Sequence, residues 1–402
     1  MKKIIIGLMG LSLFTVFAVL VLASPSNILY FLNWGEYIDM SLVQRFEREK
    51  NCQAILETVT SSEAMYQKIT SGTTPYDVAI PGDYTVQTLY KEGRLKELDV
   101  TNPDYPHLSA YQTMFVDPLH SLTSKYMVDS KKEGYASYYM PYFYGAYSIF
   151  YSDNNPEVGQ VIQKNGISSL YNSSLYSSKP KIGMYDTARW VVASALMADR
   201  LNPNITDLSG NTDGNDLSGE LQDQLVNQIK NAGFYEFGND QLKRDCANGS
   251  IDACFSQLGD FFDALYLLLE EGSEVHFNVF VPDFTAAFFD SMVIPSTSRN
   301  SKLANAFIDF MMDPDNAYQN ARAIGYSPTL KEVCSRFEKE ADAGEYYYGG
   351  ETTKTSLTLR DFLDRYPVYL DPLGHSDQVY VLEPKSNQYL TSCESIFNRA
   401  LA

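Results

Sequence analysis

Histidine, tryptophan and positive charge are all scarce in this 402-residue chain. The four His (His107, His120, His276 and His375) and the five Cys are scattered, and none forms a Cys/His cluster with metal-site spacing. Lys and Arg number 31 against 50 Asp and Glu, a net charge of -19. A chain this acidic repels phosphate backbones, which argues against nucleic acid as a partner. The same field draws in cations. Two Trp stand beside 30 Tyr and 22 Phe, so any aromatic box here is built mainly from Tyr and Phe. A Gly-x-Ser-x-Gly elbow, a P-loop and a His-Glu-x-x-His pair are also missing. No catalysis, metal or cofactor is expected. With 45% hydrophobic and 20% charged residues the composition is globular, and the length suits two to three domains.

One long apolar run is present. Lys2 and Lys3 precede residues 4–23, which are apolar or small throughout. Val21, Leu22 and Ala23 have acceptable spacing for signal-peptidase cleavage before Ser24. Left uncut, a run of about 20 residues also spans a bilayer. Residues 1–23 therefore read as a signal peptide or membrane anchor. The expected location is the periplasm or the outer face of the cell membrane. In that oxidising setting five Cys leave at least one unpaired. Cys246 with Cys254, and Cys334 with Cys393, are candidate pairs. Buried free thiols, Cys52 included, are the alternative, and spacing does not choose between them.

Short apolar runs alternate with helical patterns. Residues 28–32, 54–59, 76–80, 147–151, 182–184, 277–281 and 292–294 read as strands. Leu42, Val43 and Phe46 line one face of a helix, a second helix covers 63–70 with Ser62 as its N-cap, and a third covers 189–197. Leu303, Phe307, Ile308 and Met311 recur at helical spacing. Residues 202–223 and 341–355 read as surface loops. This is an α/β pattern with mainly parallel sheets, in which ligands sit beyond the carboxyl ends of strands.

The segments at those ends carry an unusual mixture. Trp34, Glu36 and Tyr37 follow the first strand, and Asp83 and Tyr84 follow the 76–80 strand. Residues 141–145 hold an aromatic cluster, read as a turn. Asp260 stands beside Phe261, and Phe288-Phe289 precede Asp290 in a segment, 286–290, also read as a turn. Acids next to ring faces suit an amine. A charge-assisted hydrogen bond contributes about 1.5–3 kcal/mol and a desolvated cation–π contact about 2 kcal/mol. Any one such turn is more often a solvated strand end, and the Phe288-Phe289 pair reads equally well as core. Tyr346, Tyr347 and Tyr348 read as loop packing.

Taken together, these segments resemble the spermidine/putrescine-binding proteins that serve ABC importers. The resemblance begins at Leu29-Tyr30-Phe31-Leu32-Asn33-Trp34-Gly35-Glu36-Tyr37 and Ser62-Glu63-Ala64-Met65-Tyr66-Gln67-Lys68-Ile69. It continues through Tyr76-Asp77-Val78-Ala79-Ile80-Pro81, Met140-Pro141-Tyr142, Ala247-Asn248-Gly249 and Gly259-Asp260. Phe288-Phe289-Asp290-Ser291-Met292-Val293-Ile294-Pro295 and Ile324-Gly325-Tyr326-Ser327-Pro328 complete it, so it covers about 27–330. It implies a two-lobed periplasmic-binding-protein fold of type II, each lobe a mainly parallel sheet flanked by helices, with the cleft between. Lobe 1 would be 27–137 and 291–330, lobe 2 would be 138–290, and 331–402 would pack on the lobes.

The implied function is capture of putrescine or spermidine outside the cytoplasm and delivery, as a monomer, to the permease subunits of an ABC importer. The implied ligand-binding residues are Trp34, Glu36, Tyr37, Asp83, Tyr84, Trp190, Asp260, Phe288, Asp290 and Tyr326. The chain also departs from the family. Trp190 stands where a Glu is expected and Gln257 where a Trp is expected. Trp190 then replaces the missing ring, and Asp186 or Asp83 the missing acid. The alternatives are a different small cationic ligand on the same scaffold, a sensor, and a hydrolase using Glu36 with Asp290 as paired carboxylates.

Overall fold

The computed structural model describes residues 27–127, 135–374 and 378–402. The expected signal or anchor segment and His375 lie outside those residues. β1 (Ile28–Trp34), β2 (Gln53–Val59) and β3 (Val78–Ala79) make a parallel sheet in the order β2–β1–β3. Between β1 and β2 the helix Met40–Lys50 buries Leu42, Val43 and Phe46, the face its periodicity predicts. The next helix, Ser62–Ser71, is capped by Ser61 and not by Ser62. Ser61 has the extended backbone an N-cap requires, and its hydroxyl accepts the Ala64 N–H at 3.1 Å. Asp77 ties this layer together. Its carboxylate accepts the Tyr30, Arg299 and Asn300 N–H groups and the Ser298 hydroxyl at 2.8–3.1 Å.

After β4 (Leu95–Lys96) the chain enters β5 (Met140–Ser152), thirteen residues buried along their whole length. The expectation of a strand at 147–151 after a turn at 141–145 is corrected here. Burial on both faces removes the polar alternation that marks a strand in sequence. β6 (Ile182–Tyr185) runs parallel to β7 (Glu236–Gly238) and β8 (Ala253–Gln257), while β5 runs antiparallel to β8 and to β9 (Phe277–Phe280). β10 (Phe284–Met292) lies antiparallel to β5, so 286–290 is strand and not turn. The second sheet is therefore mixed: a parallel β6 set carried on antiparallel crossover strands.

At the end of β10 the chain rejoins the first sheet. The Ser291 N–H donates to the Pro81 carbonyl, Val293 and Ala79 exchange both backbone bonds, and β11 (Ile294–Pro295) pairs with β4. β5 and β10 thus connect two α/β lobes. The helices Ser301–Met312 and Pro314–Ile324 follow, then β12 (Ser327–Pro328) on β5.

The tail is structured. β13 (Tyr346–Tyr348) pairs with β14 (Leu357–Thr358), and Tyr347 stacks on Phe362 with centroids 3.8 Å apart, so the Tyr run is strand and core, not loop. β15 (Gln378–Val381) extends the second sheet beside β10, and the helix Asn387–Leu401 packs on Gly219–Ala232 and Ala188–Ala198. It also corrects the reading of 202–223 as a surface loop. A helix begins at Gly219, and Asn204 is buried with its amide donating to the Val381 carbonyl at 2.9 Å. All five cysteines are free thiols, four of them buried.

Candidate functional site

A cavity of about 290 Å³ opens where β1, β3, β6, β8 and β10 end or cross. All ten residues expected at the site line it: Trp34, Glu36, Tyr37, Asp83, Tyr84, Trp190, Asp260, Phe288, Asp290 and Tyr326. Local geometry explains their convergence. Phe288 and Asp290 are two apart on β10, so the pleat turns both toward the cavity, while Phe289 between them is fully buried. The Phe288 ring lies over Gly145, directly opposite on β5, where an added Cβ would stand 3.0 Å from the ring. Glu36 is exposed at φ 51°, a left-handed turn that follows β1.

Tyr37 is the pivot of the first-sheet side. Its hydroxyl donates to Asp290 Oδ2 at 2.7 Å, and its ring meets those of Tyr326, Phe143 and Tyr142 edge-on at 4.8, 5.3 and 5.7 Å. Asp83 opens the helix Asp83–Lys91. Its carboxylate accepts the Tyr84 N–H at 2.6 Å and the Phe289 N–H at 3.2 Å, bridging that helix to β10. Burial pushes both Asp83 and Asp290 up to about 7, and for Asp83 the facing Asp290 charge adds to the rise. Neither forms an ion pair among the described residues. At Asp83 the Arg189 charge opposes the rise, while the cavity around both carboxylates is walled by rings.

On the second-sheet side, Trp190 stacks on Tyr147 with centroids 3.6 Å apart. Gln257, paired with Tyr147 across the strands, donates to the Tyr147 hydroxyl at 3.1 Å and accepts from the Tyr326 hydroxyl at 3.1 Å. Asp260, in the first turn of the helix Leu258–Glu270, accepts from Tyr326 at 2.9 Å and from Ser256 at 2.6 Å. Burial raises its pKa, opposed by the nearby Lys243 charge. Gly259 makes the Tyr326 position possible, because a Cβ there would fall 2.3 Å from the ring.

One expectation needs correction. Asp186 is exposed and does not line the cavity, so it does not supply the missing acid. Tyr84 already carries a cation of the protein. The Arg189 guanidinium lies 4.2 Å from its ring centroid and donates to the Glu383 carbonyl in the tail. Sequence reasoning also missed Tyr147, Tyr185, Asp240, Lys243 and Asp263, which line the cavity. Tyr147 was hidden inside a uniformly buried strand. Lys243 sits in a polar helix with nothing in its spacing to mark it.

Among curated relatives, the chain is 26% identical over 344 residues to the spermidine/putrescine-binding periplasmic protein of Escherichia coli, covering 84% of this chain and 88% of the other. It is 26% identical over 326 residues to the putrescine-binding periplasmic protein PotF of the same organism, covering 78% and 80%. Among solved structures, it resembles the spermidine/putrescine ABC transporter substrate-binding protein PotD of Streptococcus pneumoniae, with a TM-score of 0.62, 25% identity and coverage of 94% and 99%. Its family match is to the bacterial extracellular solute-binding proteins over residues 41–343. With three quarters of its length inside that match, a two-lobed α/β fold and a cleft lined at the strand ends, the chain belongs to the bacterial extracellular solute-binding proteins.

Proposed function

We propose that this protein captures a polyamine outside the cytoplasm and delivers it to the permease subunits of an ABC importer. The observation that carries this reading is the pair Asp83 and Asp290, buried and outside any salt bridge among the described residues, beside Tyr37, Phe288 and Tyr326. An ammonium entering there gains charge-assisted bonds to carboxylates that have already lost their water. Among the described residues, seven carboxylates and one lysine line the cavity, a balance suited to a cation with more than one charge. The names of the relatives point the same way.

In this reading Trp34, Tyr37, Tyr84, Trp190, Phe288 and Tyr326 wall the alkyl chain, and Glu36, Asp83, Asp260 and Asp290 hold its ends. The lobes are bounded as 27–137 with 291–330, and 138–290, with 331–402 packed upon them. β5 and β10 are then the hinge about which ligand closes the cleft. The protein acts as a monomer in the periplasm or on the outer face of the cell membrane, exported through residues 1–23.

Calorimetric titration of the purified protein with putrescine, cadaverine, spermidine and spermine tests the proposal. Micromolar or tighter binding of at least one amine is expected. Absence of heat with all four overturns the amine assignment and leaves the solute-binding fold.

A further inference from the structure

Among the described residues that line the cavity, Lys243 is the one basic side chain. It stands on the helix Asp240–Ala247, with Leu242 and Cys246 on its buried face. Its Nζ lies 2.6 Å from Asp263 Oδ2 and 3.9 Å from Asp240 Oδ1, and the residue is 5% exposed. Burial pulls its pKa down, but the charges of Asp260, Asp263 and Asp240 more than offset this and hold it protonated. The second-sheet end of the cleft therefore already contains an ammonium on an alkyl stem.

That is the same chemical group as the end of a bound amine. Of the seven cavity carboxylates, Asp240 and Asp263 are engaged by Lys243, and Asp260 lies in its field. The acids left for a ligand are Asp83, Asp290, Glu36 and Glu63 on the first-sheet side, with Asp260 reached past Tyr326. Two ammonium groups can be matched within that set. A third, threaded further toward the second sheet, meets a like charge where little water screens it.

We propose that Lys243 is a built-in counter-ion that fills the far amine subsite, so the cleft selects a short diamine and rejects triamines and tetraamines. This rests on the polyamine reading above. Lys243 acts on specificity by denying the aspartates to a longer ligand, and its stem packs the space a longer chain would take.

The test is calorimetry of the wild type, Lys243→Met and Lys243→Arg with putrescine and with spermidine, with circular dichroism melts alongside. The wild type is expected to bind putrescine at least tenfold tighter than spermidine. In Lys243→Met, which keeps the stem and removes the charge, spermidine gains at least tenfold relative to putrescine. Lys243→Arg keeps the wild-type order, which a purely structural role for the lysine does not require. Should the Met variant fail to fold, Lys243→Gln makes the same neutral change and is read in its place. The proposal is overturned if the wild type binds spermidine as well as putrescine, or if the neutral variant shifts both amines by one factor. A wild type that binds neither amine overturns the polyamine reading and this proposal with it, so the two failures are told apart.

Discussion

Asp290 offers the sharpest test of how the cleft holds charge. Burial raises its carboxyl to about 7, against an ordinary value of 3.8, with the Tyr37 hydrogen bond opposing the rise. Asp83 is raised to about 7 as well. An ammonium needs both in the ionised form, so ionisation must be completed before or during binding. Each pH unit below the pKa costs about 1.4 kcal/mol per carboxylate. Affinity should therefore fall about fivefold for one obligatory carboxylate, and up to about thirtyfold for both, as pH drops from about 7 to about 6, steepening toward about tenfold and a hundredfold per unit below that. Above about pH 8 it should level off. Asp290→Asn keeps the shape and a partner for Tyr37 but removes one charge. At high pH it should lose about 1.5–3 kcal/mol of binding, roughly 12- to 150-fold in Kd. It should also lose one unit of slope from the acid limb. Calorimetry in buffers of different ionisation enthalpy reads the same protons directly, with release on binding near neutral pH in the wild type and less in the variant. A flat affinity profile from pH 5.5 to 8, or wild-type affinity in Asp290→Asn, would refute the reasoning.

The same two carboxylates bear on stability. Because their folded pKa values lie above the unfolded one, the native state binds more protons between about pH 4 and 7, and their contribution to stability declines as pH rises through that window. Ligand-free Asp290→Asn should accordingly melt higher than wild type at pH 8, and an unchanged or lower melting temperature argues against an uncompensated charge. Gly259→Ala places a Cβ 2.3 Å from the Tyr326 ring. It should weaken ligand binding at least tenfold with a native circular dichroism spectrum, and wild-type affinity would show that Tyr326 is not needed where it stands. Asp77→Ala removes a buried acceptor of four hydrogen bonds at the junction of β1, β3 and the segment after β11. A loss of about 3 kcal/mol or more in chemical denaturation is expected, with the order of ligand preference unchanged.

Much of the fold was legible because its elements carry their own signals. β1 is a short apolar run, the helix Met40–Lys50 buries the face its period marks, and the helices Ala188–Ala198 and Ser301–Met312 fall where their apolar residues recur. The crossover strands were misread for the opposite reason. β5 and β10 are buried on every face, so no polar residue marks the alternation, and Pro141 and Gly145 imitate a turn. The Ser61 cap and the structured tail depend on backbone geometry and on packing partners that local composition does not encode.

For the site, the sequence by itself determined which chemistry was on offer. Aromatics and acids stand together at the strand ends after β1, β3 and β8 and within β10, in an order that resembles polyamine-binding proteins. Only the tertiary structure decided how they combine. The pleat of β10 sends Phe288 and Asp290 into the cleft and Phe289 into the core. Burial, a property of the whole fold, raises Asp83 and Asp290 toward neutrality. Long-range packing brings Arg189 onto Tyr84 and Lys243 among three aspartates. Charge can be counted along a chain, but whether a charge is paired, desolvated or free to meet a ligand is set by neighbours far away in sequence.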